Sequence, residues 1–523
     1  MSGTALRQAE LLVGVSLMSD LGMGLAGGDI ARATVIAGRL ADLLALPAPV
    51  RSDVFYTTVL EHSGCTGYSH EVSALFRDEL AVKRASLVTD FRRPVEIVTG
   101  YLPSIARSGT PREGVGGAIR AMRHANGMTA GYRRANCEVA AEVAARLGMS
   151  AGVRTALLQV YEAWDGSGGP HGLKGQDVAL PSRIAQLATL AAVVDRLAGA
   201  DAARSAVRRR RGRSIDPELA AVFDGNASTL LGDLAEVDLF EAALAVEPRP
   251  WRLLRDAELD TALAAFGDLV DLKTPYLHGH ASRVSGLATT AAERLGLASD
   301  LSRVRRAALV HDLGRIAVPS SIWERRGALG RVDWEQVRSH PYHTERILRG
   351  TPALADLAEL AGSHHERLDG SGYYRGQHGS SLPMASRVLA AADAYDALVH
   401  PRPHRPPFAR DAAEREMIAA VHAGTLDADA VAAVLASAGH EVSRPRAGTA
   451  SGLTERQVEV LRLVAAGLSN GLIGRRLGIS ARTAEHHVQD IYAKIGVSSR
   501  AGAAMFAMQH RLVEDDPQSG GHG

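Results

Sequence analysis

Cysteine is nearly absent: Cys65 and Cys137 are the only two in 523 residues. Two thiols exclude a disulfide framework and a cysteine zinc cluster. Aromatic residues make up only 4%, and the dominance of alanine, leucine, arginine and glycine favours helices and small-residue packing over sheet. A net charge of +1 carries no message about nucleic acid, which only local charge can give. Long hydrophobic runs are also missing. The apolar stretch Leu11–Ala26 is interrupted by Ser16, Ser19 and Asp20 and is too short to span a bilayer. The N-terminus has no basic region leading into an apolar core, so the chain reads as cytoplasmic, with no membrane partner. Its length predicts roughly three domains.

What is abundant is histidine next to carboxylate in the second half. Between His280 and Asp393 lie His280, the adjacent pair His311–Asp312, His340, the adjacent pair His364–His365, and Asp393. A single histidine on an apolar helix face is ordinarily a satisfied core residue. Seven such groups, four of them in two adjacent pairs, point instead to divalent metal, since Fe, Mn and Zn accept mixtures of imidazole and carboxylate. Val284, Leu287, Ala291 and Leu295 mark a helix face that His280 shares, and Val304 and Ala308 do the same for His311. Unsatisfied polar groups are costly on such faces. Neighbours on a helix diverge by about 100°, so His364 and His365 line adjacent sites, which favours two ions. A pair of ions is the usual device for phosphoester hydrolysis: one activates water and both neutralise the developing charge. The following loop, Asp369–Gly376, has three glycines that let backbone approach a ligand closely.

Taken in order, residues 1 to about 205 read as helices, with Ile30–Leu46 and Val153–Trp164 as clear examples. Arg208–Arg211 with Arg213 reads as a solvated loop, and residues 214–250 as two short helices, Pro217–Phe223 and Ser228–Ala245. There is a degenerate internal repeat. Asp165–Leu173 echoes Asp369–Gly376, Pro181–Ala188 echoes Ala385–Ala392, and Val59–Gly64 echoes Ala308–Gly314. In the first copy the ligands are mostly gone. Ser63 replaces the aspartate beside His62, Val160 and Tyr161 replace the paired histidines, Thr189 stands for Asp393, and Asp29 falls near the His280 position. The first copy keeps the fold and loses the metal chemistry, which suits dimerisation or regulation.

The strings HDLGR, SHPYHTERIL, HHERLDGSGYY and ASRVLAAADAYDAL, in this order and spacing across residues 255–440, resemble the HD-GYP subgroup of the HD phosphohydrolase superfamily. The resemblance implies an all-helical domain with a dinuclear or trinuclear iron or manganese centre that opens cyclic di-GMP to linear dinucleotide or GMP. By position it makes His280, His311, Asp312, His340, His364, His365 and Asp393 metal ligands, with Asp312 as the bridging catalytic carboxylate. Arg315 takes the place of a lysine that contacts the scissile phosphate. The substrate would lie against Arg315, Asp369, Gly370, Gly372, Tyr373 and Arg387. Three departures stand out: Tyr374 replaces the proline of the GYP signature, Thr344 replaces a glycine, and Tyr276 replaces the glutamate of trinuclear members, so two ions are expected. His278, His343, His400, His404, His422 and His440 are expected to be structural or exposed, with His343 able to support a ligand.

The C-terminal segment opens with Thr454 and Gln457 as a capping box. Val458, Leu461, Ala465 and Leu468 form a buried stripe, Gly467 ends the helix, and Ser469 caps a second. Gly478 makes a turn and Ser480 caps a third, whose buried face is Ala484, Val488, Ile491 and Ile495. A short helix, a tight turn and a longer helix make a helix-turn-helix. The strings LTERQVEVL, SNGLIGRRL and SARTAEHHVQDIYAKIGVSSR resemble the four-helix DNA-binding domain of LuxR-type regulators. That resemblance places Ser480–Ile495 in the major groove, assigns DNA contacts to Asn470, Ser480, Arg482, Thr483, Glu485, His486, Gln489 and Lys494, and gives Arg500–Arg511 to dimerisation. Glu485 occupies a position where the family often has a phosphate-contacting lysine.

The expected organisation is therefore all-α. It comprises a degenerate HD-type domain (1–246), an HD-GYP-type domain (247–440), a linker (441–452), a LuxR-type helix-turn-helix (453–514) and a disordered tail (515–523). The expected function is a homodimeric bacterial transcriptional regulator in which a two-metal cyclic-dinucleotide phosphodiesterase is joined to DNA binding. The alternative is a DNA-binding regulator whose HD domain senses a nucleotide or metal without turnover.

Overall fold

A computed structural model describes residues 6–107, 111–441, 453, 455–509 and 512. The Thr454 cap, nearly all of the linker and the tail lie outside the described residues. The chain is all-α. The only strands among the described residues are the two-residue segments Leu6–Arg7 and Leu253–Leu254, paired antiparallel. No helix is long and apolar enough to cross a membrane among the described residues. The apolar stretch at the start is the helix Gln8–Gly22, buried on nearly every side, as expected of a helix apolar all round.

The described chain divides into two compact units. One comprises residues 1–286, 302–364 and 400–406, and the other residues 287–301, 365–399 and 407–523. In the first unit the helices Asp29–Leu43, Ala48–Leu60 and Leu180–Ala198 pack on one another. Their contacts are rich in alanine, including the fully buried Ala33, Ala37, Ala188 and Ala192. In the second unit the helix Met384–Val399 packs against Arg410–His422 and Ala428–Ser437.

The internal repeat is visible in hydrogen bonds that recur between corresponding groups of the two copies. The Asp20 carboxylate accepts the backbone N–H groups of Gly28, Asp29 and Ile30, and Asp271 accepts that of Ala281. Glu162 accepts from His171 and Leu173, as Glu366 does from Arg375 and Gln377. Arg183 pairs with Asp216 as Arg387 pairs with Asp427. The Asp20–Ile30 and Asp271–Ala281 bonds put Asp29 and His280 at equivalent helix starts.

At the first-copy positions aligned with the expected ligands lie ion pairs and small polar contacts. Asp29 is held by Arg196 at 2.6 Å and Arg32 meets Asp195 at 3.0 Å, while Thr189 donates to Glu61. An internal arginine thus supplies a positive charge beside the carboxylate. His62 is 3% exposed, and neither ring nitrogen has a hydrogen-bond partner among the described residues.

Three local expectations change. The helix expected over Val153–Trp164 stops at Leu157, because the next residues turn to feed the glycine loop that Glu162 gathers. The helix expected over Ser228–Ala245 divides into Ala227–Leu231 and Leu239–Ala245. Asp238 accepts from Phe240 and Glu241 and so starts a new helix. Within the arginine run, Arg208–Arg210 form the last turn of the helix Ala200–Arg210, while Arg211 and Arg213 lie exposed in the turn that follows. Cations are favoured at a helix C-terminus, Arg208 pairs with Asp224, and the buried Arg210 donates to the Val88 carbonyl.

Burial pushes the His62 imidazole down to about 4. A depressed histidine stabilises the fold above its unfolded value near 6.5 and loses that contribution as pH falls toward 4. Urea unfolding at pH 7 and pH 4.5 is expected to show a loss on the order of 2–3 kcal/mol from this residue. In His62→Leu that component of the acid slope disappears. An unchanged slope would show that His62 is not buried neutral.

Candidate metal centre

Four histidines meet one carboxylate in the first unit. His280 and His340 are the first residues of the helices His280–Arg294 and His340–Arg349. His311 and Asp312 follow the helix Leu301–Val310 directly, and His364 lies just past Ala355–Gly362. The paired histidines therefore sit in a turn beyond a helix end, not within the helix as expected. His280, His311, His340 and His364 are all fully buried, and Asp312 is 4% exposed.

The imidazoles divide over the two carboxylate oxygens. His340 and His364 approach Asp312 Oδ1 at 3.3 and 3.4 Å, whereas His280 and His311 approach Oδ2 at 3.5 and 3.6 Å. His311, His340 and His364 each present Nδ1 to the carbonyl three residues earlier, at Ala308, Val337 and Ala361, over 2.6–2.8 Å. That contact puts the proton on Nδ1 and turns the Nε2 lone pair inward. The Nε2 atoms of His340 and His364 lie only 3.0 Å apart, so two lone pairs face each other unless a cation lies between them. His311, Asp312 and His364 offer ligand atoms within 4.8 Å of one another.

The protonation states suit a cation as well. Burial alone would raise Asp312, but Arg315 and the imidazoles hold its carboxyl well below the usual range. Burial lowers His340, with Asp312 opposing it only in part. Anionic carboxylate and neutral imidazole are the forms that bind metal. These residues fit a divalent ion.

Arg315 lies beside this group. Its Nη1 is 3.1 Å from Asp312 Oδ2 and its guanidinium covers the Trp323 ring at 3.8 Å. Tyr276 accepts from Arg315 at 3.4 Å and donates to the Trp323 carbonyl at 3.0 Å. No expectation named Trp323; its sequence context holds no signal for this stacking.

The other two residues of the expected set belong to the second unit, where His365 Nδ1 lies 3.7 Å from an Asp393 oxygen. The Tyr373 ring packs on His365 at 4.8 Å, and its N–H donates to the His365 carbonyl. Asp369 closes a tight turn by accepting from Ser371 N and Oγ. Gly370 has φ 80°. A Cβ on Gly372 would come within 2.5 Å of Glu366 Cα, so that position requires glycine. Arg387 spends its guanidinium on the Leu382 and Gly379 carbonyls and on Asp427, which makes it a scaffold for the loop.

In the C-terminal segment the helices Asn470–Leu477 and Ala481–Ile495 are joined through Gly478 at φ 64°. Leu461, Ile473, Ala484, Val488 and Ile491 form the core, and Ala465, Leu468 and Ile495 are partly buried. Ser480 caps the second of these helices by accepting from Thr483 N–H; the Ser469 side chain makes no such bond. Arg482, Thr483, Glu485, His486 and Gln489 are exposed. Asn470 accepts from Arg500, and Lys494 reaches back to Gln457.

Comparison with known proteins agrees with this geometry. Residues 265–429 match the family described as HD domain, and residues 451–507 match the bacterial regulatory proteins of the luxR family. The 3'3'-cGAMP-specific phosphodiesterase 3 of Vibrio cholerae is 31% identical over 405 residues, 76% of this chain and 87% of that protein. The chain belongs to the HD-domain family. A Thermotoga maritima cyclic di-GMP phosphodiesterase is 36% identical over 143 residues, 27% of this chain and 39% of that protein. The crystal structure of a Vibrio cholerae cyclic GMP-AMP specific phosphodiesterase superposes with TM-score 0.58 at 26% identity, covering 83% of this chain and 98% of that one. The first of these alignments is more than twice as long as the HD-domain match, so the likeness extends beyond the HD domain itself.

Within the HD domain, Thr344 takes over a specific task. Its hydroxyl donates to the His311 carbonyl at 2.8 Å and accepts from Gly314 N–H at 2.9 Å, bracketing Asp312 on both sides. A Cβ on Gly314 would lie 1.9 Å from the His340 carbonyl oxygen, so the turn is pressed against that helix. Thr344→Val leaves a buried carbonyl and a buried N–H without their hydroxyl and is expected to cost about 2 kcal/mol in urea unfolding. Thr344→Ser, which keeps both bonds, is expected to cost less than about 1 kcal/mol. Equal losses in the two variants would refute the role of the hydroxyl.

Proposed function

We propose that the chain is a transcriptional regulator that hydrolyses a cyclic dinucleotide at a two-metal HD centre and binds DNA through its LuxR-type module. The observation that carries the reading is the division of four imidazoles between the two oxygens of Asp312. Each oxygen faces its own histidine pair, as a carboxylate bridging two ions would. His365 and Asp393 lie 3.7 Å apart in the second unit and are the remaining candidate ligands. Two ions, Fe or Mn, would supply an activated water and neutralise charge on the phosphoryl oxygens. Arg315 holds Asp312 ionised and places a guanidinium where the scissile phosphate would rest. In the second unit the Asp369–Tyr373 loop, scaffolded by Arg387, is the candidate substrate-contacting segment, with Gly370 and Gly372 allowing close approach.

The substrate class follows from the relatives, and 3'3'-cGAMP is favoured over cyclic di-GMP because a relative aligned over 76% of this chain is named as specific for it. A cytoplasmic location and a homodimer accompany the reading. Met505 and Met508, 58% and 60% exposed on the helix Arg500–Gln509, support self-association there. A second reading, nucleotide binding without turnover, draws on Arg315, which is engaged by Asp312 and stacked on Trp323.

Purified protein loaded with Mn²⁺ or Fe²⁺ is expected to open 3'3'-cGAMP to linear dinucleotide, read by chromatography beside cyclic di-GMP. His311→Ala and Asp312→Ala are expected to lose at least about 100-fold in rate. Wild-type rates in those variants would remove the site assignment, and binding without product would select the sensor.

For DNA, Glu485→Lys on the exposed helix face replaces a repelling charge with a phosphate-pairing one. It is expected to tighten promoter binding on the order of tenfold at 0.1 M salt and to steepen the salt dependence by about one ion. Unchanged affinity in a titration at two salt concentrations would place Glu485 away from the phosphates.

A further inference from the structure

The first half of the chain reaches the HD turn through one buried chain of charged and polar contacts. Glu79 opens the helix Glu79–Val88 and is fully buried. Its Oε1 accepts from Lys273 Nζ at 3.0 Å, from Ser320 N–H at 2.8 Å and from Ser320 Oγ at 2.9 Å. Lys273, 1% exposed, donates a second bond at 3.1 Å to the carbonyl of Ile316. Ile316 is the neighbour of Arg315 in the short turn Leu313–Ala317 that follows Asp312. The same turn is backed from the other side, where a Cβ on Gly22 would lie 2.8 Å from Ile316 Cδ1. Asp271, two residues before Lys273, accepts from Ala281 N–H next to His280. One segment therefore ties the start of the His280 helix to the Arg315 turn, and a carboxylate from the degenerate copy anchors it.

We propose that Glu79 is a positioning residue for the HD centre: through Lys273 it holds the Ile316 carbonyl and so fixes the turn that keeps Arg315 against Asp312. This rests on the hydrolytic reading above only for its kinetic consequence. A buried ion pair is a poor source of net stability, because its desolvation cost offsets the attraction. Its fixed geometry is what serves the site, where a displacement of about 1 Å can cost on the order of 100-fold in rate. The degenerate copy thereby acquires a task that needs no metal of its own.

The test uses full-length protein and the variants Glu79→Gln and Lys273→Met. In metal-free protein, deuterium uptake of peptides covering residues 311–319 is expected to speed up about tenfold in both variants. Peptides covering 29–43 and 481–495 should match wild type. With Mn²⁺ and 3'3'-cGAMP, kcat is expected to fall about 10- to 100-fold with KM within about twofold. Should either variant fail to fold, Ser320→Ala removes one of the groups that orient Glu79 and is read in the same way, with about threefold faster uptake expected. Uptake over 311–319 equal to wild type, or a rise spread over all peptides, overturns the proposal. An inert wild type whose variants still show the local rise sinks the hydrolytic reading and leaves the brace standing.

Discussion

The HD turn and the helix ends that meet it are arranged around the carboxylate of Asp312. It is buried, ionised and surrounded by four imidazoles and a guanidinium. A lone anion in such a place would be prohibitively costly, and its neighbours are what make it tenable. The Nδ1 contacts to helix-end carbonyls settle which face of each imidazole turns inward, so the backbone ends of three helices set the chemistry of the centre. Those ends must stay in register, which explains why the HD turn is gripped by the Thr344 hydroxyl, the His340 backbone and Lys273 together.

The two halves of the chain solve the same packing problem with different charges. Both keep the carboxylate that starts a helix and the glutamate that gathers a glycine loop. Both also keep an arginine paired with a helix-capping aspartate. These bonds belong to the frame and persist where the metal chemistry does not. In the first copy Asp29–Arg196 and Arg32–Asp195 provide internal charge compensation. His62 is buried there, and burial pushes its imidazole down to about 4.

Much of this was legible from spacing. The His/Asp pairs stand out because adjacent ligands at a helix end are rare in an ordinary core, and the repeat shows in Asp165–Leu173 against Asp369–Gly376. Other features left no local trace. Propensity carries a helix through Val153–Trp164, yet Glu162 draws that segment into a loop through bonds to residues far along it. The resemblance puts Arg387 against the substrate, but the Leu382 and Gly379 carbonyls and Asp427, 40 residues on, absorb its guanidinium. The Trp323 ring under Arg315 and the Glu79–Lys273 pair, 194 residues apart, depend on tertiary placement alone.

By itself, then, the amino-acid sequence determined the all-helical architecture, the duplicated frame, the LuxR-type module and the identity of the clustered imidazoles and carboxylates. These are properties of periodicity, turn residues and ligand type, which are local. Only the tertiary structure decided how the four imidazoles divide over Asp312, what holds Arg315, and which carboxylate of the first copy reaches the HD turn. Each of those depends on distances between helix ends that meet only after packing, and no pattern along the chain encodes them.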